Sequence, residues 1–153
     1  MNHLYDIKII SGGQTGVDRA ALDFATNNGI PCGGWCPKGR LAEDGKLPLK
    51  YPLKETKTSN YSERTEKNIL ESDGTLIIYS DKFDRGTALT KNLCNKHKKA
   101  CLIHKLEQAF EKDEFLLWIK KYRIKTLNIA GPRESISKGI YMKTLQFFEM
   151  IFK

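Results

Sequence analysis

Apolar and polar positions along this chain fall into blocks that switch between two periods. The short runs YDIKII (5–10), TLIIYS (75–80), ACLIH (100–104) and KTLNIA (125–130) have the length and apolar, β-branched content of strands. Ile30 to Gly33 reads as a further short strand. The continuous apolar run at 75–80 suits a strand covered on both faces. Between these runs, apolar residues recur at helical spacing. Residues 16–28 place Val17, Ala20, Ala21, Phe24 and Ala25 on one side, and Gly29 stands where that helix should stop. Helices are also predicted over 62–71 (Thr65, Ile69, Leu70), 87–98, 112–122 (Phe115, Leu116, Trp118, Ile119, Tyr122) and 137–152 (Ile140, Leu145, Phe148, Ile151). Strands alternating with helices imply right-handed crossovers and an α/β architecture with a mostly parallel sheet. One stretch has no period: residues 33–63, broken by Pro37, Pro48 and Pro52, read as a long irregular segment of the kind that is usually functional or mobile.

The 153 residues suffice for one well-buried domain, and with no internal repeat or linker the chain is expected to form a single domain over 1–153. A content of 40% hydrophobic and 29% charged residues fits a soluble globular protein rather than a disordered one. No apolar run approaches the roughly 18 residues of a membrane span, and MNHLYDIKII lacks the plan of a signal peptide, so a cytoplasmic location without membrane contact is expected. The net charge of +8 would attract phosphate-bearing ligands or nucleic acid, or serve solubility alone. The lysines are thinly spread, and the densest run, Lys96 to Lys99, ends a predicted helix, where cations complement the dipole. No nucleic-acid motif accompanies them, so nucleic acid is not an expected partner.

The remaining chemistry is selective. Cys32 and Cys36 form C-x3-C, neither the usual redox pair nor half of a zinc site. Structural thiols are expected there and at Cys94 and Cys101, although the first two flank a glycine-rich loop that could meet a ligand. His3, His97 and His104 have no metal-binding spacing, and no metal site is expected.

Three predicted strands end in small, polar or glycine-bearing turns: Ser11-Gly12-Gly13-Gln14-Thr15-Gly16, Ser80 to Thr87, and Ala130-Gly131-Pro132-Arg133-Glu134-Ser135. In a parallel sheet they share one edge, where ligands bind in open α/β folds. Each is expected to offer backbone N–H groups at a helix N-terminus, a favourable place for an anion. The first loop matches neither G-x-G-x-x-G nor a P-loop. Arg85 and Arg133, with Arg40 or Lys38, could neutralise a phosphate. Asp18 could serve its helix N-terminus or bind a ligand hydroxyl. Trp35 and Tyr61 could stack on a heterocycle or cap the core. Arg64 and Asn68, one turn apart, could point into the same cleft.

The segments GGQTGVDRAALD (12–23), GIPCGGWCPKGRLAEDG (29–45), YPLKET (51–56), Y-x-x-R-T-x-x-N (61–68), SDGTLI (72–77), GTALT (86–90), LNIAGPRES (127–135) and GIY (139–141) resemble the molybdenum carrier family. That family is a circularly permuted branch of the SLOG, or lysine decarboxylase-like, Rossmannoid superfamily. The resemblance implies a Rossmann-like three-layer α/β sandwich, often a homo-oligomer, that binds molybdenum cofactor or a related phosphorylated, nucleotide-like small molecule. It implies binding positions at Gly12, Gly13, Gln14, Thr15, Gly16, Asp18, Arg19, Gly86, Thr87, Thr90, Gly131, Pro132, Arg133, Glu134 and Ser135, beside the Arg85 already chosen by charge. The hydrolase relatives carry G-G-x-G-T-x-x-E, and here Thr90 stands where that glutamate would be. A threonine is no carboxylate acid/base, so a binding protein is expected rather than an enzyme. The alternative is a hydrolase of a nucleotide N-glycosidic or phosphate bond using Glu134 or Asp18.

Overall fold

The computed structural model describes residues 3–153. After a 3-10 turn (His3–Asp6) come strand β1 (Lys8–Ile10), helix α1 (Val17–Asn27) and strand β2 (Cys32–Gly33). Four two-residue strands follow: β3 (Trp35–Cys36), β4 (Leu41–Ala42), β5 (Gly45–Lys46) and β6 (Lys54–Glu55). The rest alternates through α2 (Tyr61–Glu71), β7 (Gly74–Tyr79), α3 (Arg85–Lys96), β8 (Ala100–Lys105), α4 (Lys112–Lys121), β9 (Thr126–Ala130) and α5 (Ile140–Phe152).

Five strands pair in parallel in the order β2-β1-β9-β7-β8. The last strand in sequence therefore lies at the centre, with Ile9 opposite Leu127 and Thr75 opposite Asn128. Its composition suits that place, since Leu127 and Ile129 are buried between the equally buried Ile9 and the Leu76–Ile77–Ile78 run. β8, at the sheet edge, is only half covered.

Alternate residues of β7 face two helical layers. Leu76 and Ile78 join the main core with Val17, Ala21, Phe24 and Ala25 of α1, Phe115 of α4, and Ile140, Phe147, Phe148, Ile151 and Phe152 of α5. The Phe24 ring lies 5.5 Å from Phe148 and 5.3 Å from Phe152. On the other face α3 packs on β7 and β8, with α2 beside it. The result is the three-layer, Rossmann-like α/β sandwich expected. Local chemistry sets the helix starts: Asn60 Oδ1 accepts from the Ser62 N–H at 2.9 Å, and Asp84 Oδ1 from the Thr87 N–H at 3.1 Å.

Three expectations change. The predicted strand at 5–10 begins only at Lys8, because residues 5 and 6 close the 3-10 turn. The last helix starts at Ile140 rather than 137, after Gly139 in the left-handed region (φ 85°). The irregular segment is built after all: β3 pairs with β6, β4 with β5, and Leu22, Cys36, Ala42, Leu47, Tyr51 and Leu53 form a second apolar cluster. Arg40 organises it. Its guanidinium donates to the carbonyls of Leu47 (3.1 Å), Pro48 (2.8 Å), Tyr51 (2.9 Å) and Leu53 (3.1 Å). A phosphate-binding role for Arg40 is thereby corrected, since its donors are committed to backbone. Among the described residues no helix is long and apolar enough to cross a membrane.

Candidate functional site

With β9 inserted between β1 and β7, the loops after these three strands leave the sheet side by side. A cleft of ≈ 400 Å³ opens between them and the first two turns of α2. Loop and helix residues Gly12, Gln14 and Asp18 form one wall. Asp84, Arg85, Gly86, Leu89 and Thr90 form a second, and the end of β9 with Gly131, Arg133 and Ile136 a third. α2 adds Tyr61, Ser62, Arg64, Thr65 and Asn68.

Arg64 lies at the back of this cleft, 9% exposed. Its Nη1 donates to the Gly12 carbonyl at 2.9 Å and its Nε to Thr65 Oγ1 at 3.3 Å. Nη2 has no protein partner among the described residues. The approach depends on glycine, because a Cβ at Gly12 would lie 2.3 Å from Arg64 Nη1. The guanidinium carbon also sits 5.1 Å from the centre of the Tyr61 ring. Asp18 Oδ2 is 3.6 Å from Arg64 Nη1 and accepts from the Gln14 N–H at 3.3 Å. Burial lifts the Asp18 carboxyl from the ordinary 3.8 to about 6, with Arg64, the Gln14 N–H and Arg19 pulling the other way.

At the mouth stands the N-terminus of α3. Asp84 Oδ1 takes the N–H and the hydroxyl of Thr87, leaving the first helical N–H groups, of Arg85 and Gly86, without an intrahelical acceptor. The Arg85 side chain is exposed and has no ionic partner among the described residues. Thr90 lines the cleft with its hydroxyl donated to the Gly86 carbonyl at 3.0 Å.

The first and third loops are spent largely on each other. The Val17 N–H donates to the Pro132 carbonyl at 3.3 Å, and the Glu134 N–H to Thr15 Oγ1 at 3.1 Å. Glu43, in the β4–β5 turn, accepts from the hydroxyls of Thr15 and Ser135 and from the Ser135 N–H. Its burial is more than offset by these bonds and by Arg133, so its carboxyl titrates below the usual range. Gln14 Oε1 accepts from the N–H of Thr15 (3.0 Å) and of Glu43 (2.8 Å). Arg19 grips the Gly13 carbonyl and makes a two-pronged pair with Asp44. The Glu134 carboxylate accepts from the N–H groups of Gly139 (2.6 Å) and Tyr141 (3.0 Å), which places it as the cap of α5.

The positions selected from the sequence therefore divide. Gly12, Gln14, Asp18, Arg85, Gly86, Thr90, Gly131 and Arg133 line the cleft. Gly13, Thr15, Gly16, Arg19, Thr87, Pro132, Glu134 and Ser135 lie outside its lining, most of them holding loops together. Of the three helix N-termini expected to receive an anion, that of α5 has its first N–H groups taken by Glu134 and Ser137, that of α1 has the Val17 N–H taken by the Pro132 carbonyl, and that of α3 keeps the Arg85 and Gly86 N–H groups at the cleft mouth. Lys38 is exposed outside the cleft. Trp35 also lies outside it, its N–H and carbonyl clasped by the Asn68 amide at 2.8 and 3.0 Å and its ring 4.2 Å from Lys67 Nζ. Tyr61, Arg64 and Asn68 do reach the cleft.

Sequence reasoning missed Asp84, Asn128 and Glu43. Asp84 was readable from its D-x-x-T spacing, the mark of a helix cap. Asn128 was readable as a polar residue inside an apolar strand; its Nδ2 donates to Thr75 Oγ1 at 3.2 Å. Glu43 carried no local signal. Cys36 is buried, and Cys32 Sγ sits 3.7 Å from Thr26 Oγ1. The His3 side chain lies outside the described part; elsewhere, no group of three or more His, Cys, Asp or Glu is placed to hold a metal ion.

These features define a Rossmann-like α/β sandwich with a ligand-sized cleft at the C-terminal edge of its parallel sheet. Residues 9–152 match the circularly permutated YpsA SLOG family, and the chain belongs to it. A crystal structure of a "putative molybdenum carrier protein" from Syntrophus aciditrophicus SB is similar, with a TM-score of 0.90 and 50% sequence identity over 97% of this chain and 96% of that chain. No protein of curated function matches this chain.

Proposed function

We propose that this chain, acting as one domain over residues 1–153, is a binding or carrier protein for a phosphorylated, nucleotide-like small molecule, with molybdenum cofactor as its cargo. The observation that carries the reading is Arg64, a buried guanidinium with one nitrogen unspent, facing a cleft whose mouth adds Arg85, Arg133 and the N-terminus of α3. Such a set matches a phosphate, which arginine forks and helix N–H groups bind in common. Tyr61 supplies an aromatic face, and Asp18 and Asn128 supply polar groups for the edge of a flat heterocycle. The cargo would be held by its phosphate and ring rather than through protein ligands to the metal. The family and the name of the similar structure point the same way.

The test is thermal stabilisation of wild type and Arg64→Met by molybdenum cofactor, AMP and molybdate. A ligand at about 100 times its Kd adds about 2.7 kcal/mol to stability, a shift easily read. We expect the phosphorylated ligand to stabilise wild type, molybdate alone to do nothing, and Arg64→Met to lose most of the shift. No shift with any ligand, or an undiminished one in Arg64→Met, refutes the reading.

One observation favours a second reading, hydrolysis of a nucleotide bond. Asp18 faces the cleft with its carboxyl near 6, a value suited to acid catalysis near neutral pH. Glu134 is a poorer candidate because both its oxygens are committed to α5. Release of base or phosphate that vanishes in Asp18→Asn, with binding retained, supports hydrolysis; unchanged turnover excludes Asp18.

A further inference from the structure

A row of polar side chains crosses the sheet beneath α3. Asn128 of β9, Thr75 of β7 and Cys101 of β8 are register partners on three adjacent parallel strands, so their side chains share one face. The alternate positions Leu76, Ile78, Leu127 and Ile129 join the main core on the α5 side, which puts the row on the α3 side. α3 packs over β7 and β8 there and carries the fully buried Cys94. The turn after the helix brings the chain straight back: the Lys99 N–H donates to the Cys94 carbonyl at 3.0 Å, two residues before Cys101. Both thiols are free, and they meet, with the Cys101 S–H and the Thr75 hydroxyl donating to the Cys94 sulfur. These bonds, with His97 nearby, outweigh burial and bring the Cys94 thiol from 9.0 to about 7. Cys101, as the donor, is pushed up and keeps its proton.

Touching thiols of which one ionises near neutral pH are the arrangement that thiol–disulfide chemistry uses. The row also continues away from the pair, since Thr75 Oγ1 accepts from Asn128 Nδ2 at 3.2 Å and Asn128 lines the cleft. We propose that Cys94 and Cys101 are a modification site, a dithiol that hydrogen peroxide converts reversibly to a disulfide, and that Thr75 and Asn128 carry its state to the cleft. The half-buried Cys101 gives peroxide its way in. The Cys94 thiolate attacks one peroxide oxygen, the O–O bond breaks, and the departing hydroxide takes up a proton as water, leaving a sulfenic acid. The Cys101 sulfur then displaces the hydroxyl group, which leaves as water with the Cys101 proton as the S–S bond forms. Two thiols are oxidised and one peroxide is reduced to two waters; a thiol reductant reverses the change. In the disulfide the Cys94 sulfur carries no charge and accepts poorly, so the buried Thr75 hydroxyl turns instead to the Asn128 amide and draws it from the cleft. Ligand affinity then falls. That last consequence rests on the binding role proposed above, whereas the disulfide and the movement of Asn128 do not.

The test treats the isotope-labelled full chain with hydrogen peroxide and then with dithiothreitol. Peptide mass mapping reads the Cys94–Cys101 link, the side-chain amide resonance of Asn128 reads the relay, and AMP titration reads the cleft. We expect the linked peptide to appear with peroxide and vanish with dithiothreitol, and the Asn128 amide to shift and return with it. AMP should bind the oxidised protein about 5-fold more weakly, the worth of one neutral hydrogen bond. Cys101→Ser keeps a donor to Cys94 but forms no link, so peroxide should leave its Asn128 resonance and AMP affinity unchanged. Thr75→Val should still form the link while Asn128 no longer responds, an outcome that a merely structural Thr75 would not give. No linked peptide, an unmoved Asn128 in the linked protein, equal AMP affinity in both states, or a response that persists in Cys101→Ser overturns the proposal. If AMP binds neither state, the binding role fails by itself, and the peptide and the Asn128 resonance still decide the disulfide and its relay.

Discussion

Asp18→Asn should make the protein more stable at neutral pH, by an amount that depends on pH in a defined way. In the folded chain the Asp18 carboxyl titrates at about 6 against 3.8 ordinarily, because burial outweighs the help of Arg64 and the Gln14 N–H. The folded state thus holds this proton more tightly than the unfolded state. Below pH 3.8 both states are protonated and the group costs nothing. As pH rises towards 6 the unfolded chain releases its proton first, and stability drains away. Above that, a gap of about two pKa units at 1.36 kcal/mol each leaves a cost of about 3 kcal/mol. Asparagine keeps the shape and an oxygen for the Gln14 N–H but cannot ionise. The assay is urea unfolding of both proteins from about pH 4 to about pH 8, taking the difference in ΔG so that all other titrating groups cancel. The variant should gain about 3 kcal/mol relative to wild type across that range. A flat difference, or one in which wild type gains as pH rises, refutes the burial of this charge. A charge kept at such a cost in a cleft wall is expected where binding needs it, so the same variant should bind the phosphorylated ligand more weakly.

Other outcomes follow from single contacts. In Gly131→Ala the new Cβ would lie 2.1 Å from the Ile78 carbonyl oxygen, a backbone atom that cannot step aside. A loss of about 3 kcal/mol in urea unfolding is expected. Arg40→Met keeps the aliphatic stem but strands the carbonyls of Leu47, Pro48, Tyr51 and Leu53. It should cost about 3 kcal/mol and speed proteolysis within residues 37–56 well before global unfolding. Glu134→Gln weakens the cap of α5, by about 1 kcal/mol in thermal unfolding, and should leave ligand affinity near that of wild type.

Periodicity carries the fold in this chain because its long elements satisfy burial on their own. α1 shows its buried face in every third or fourth residue, and β7 is buried along nearly its whole length, with the apolar run Leu76–Ile77–Ile78 at its centre, because helices cover both its faces. The segment 33–63 escaped that reading because two-residue strands have no period, and their order comes from one guanidinium reaching four carbonyls. The three glycine-bearing turns were likewise legible as turns, and the family resemblance marked most of the same positions. Which of them line the cleft was not legible. Thr15, Glu134 and Ser135 look like binding residues in one dimension and serve as bolts between loops in three.

By itself, then, the sequence determined the alternation of strands and helices, the parallel sheet and the edge where its turns gather, since each follows from local spacing. Only the tertiary structure decided that β9 enters between β1 and β7, that Arg64 crosses 52 positions to lie over Gly12, and that Glu43 ties two loops together. Those contacts join residues far apart in the chain. Their energies depend on burial and on shared partners, and neither exists until the sheet has closed.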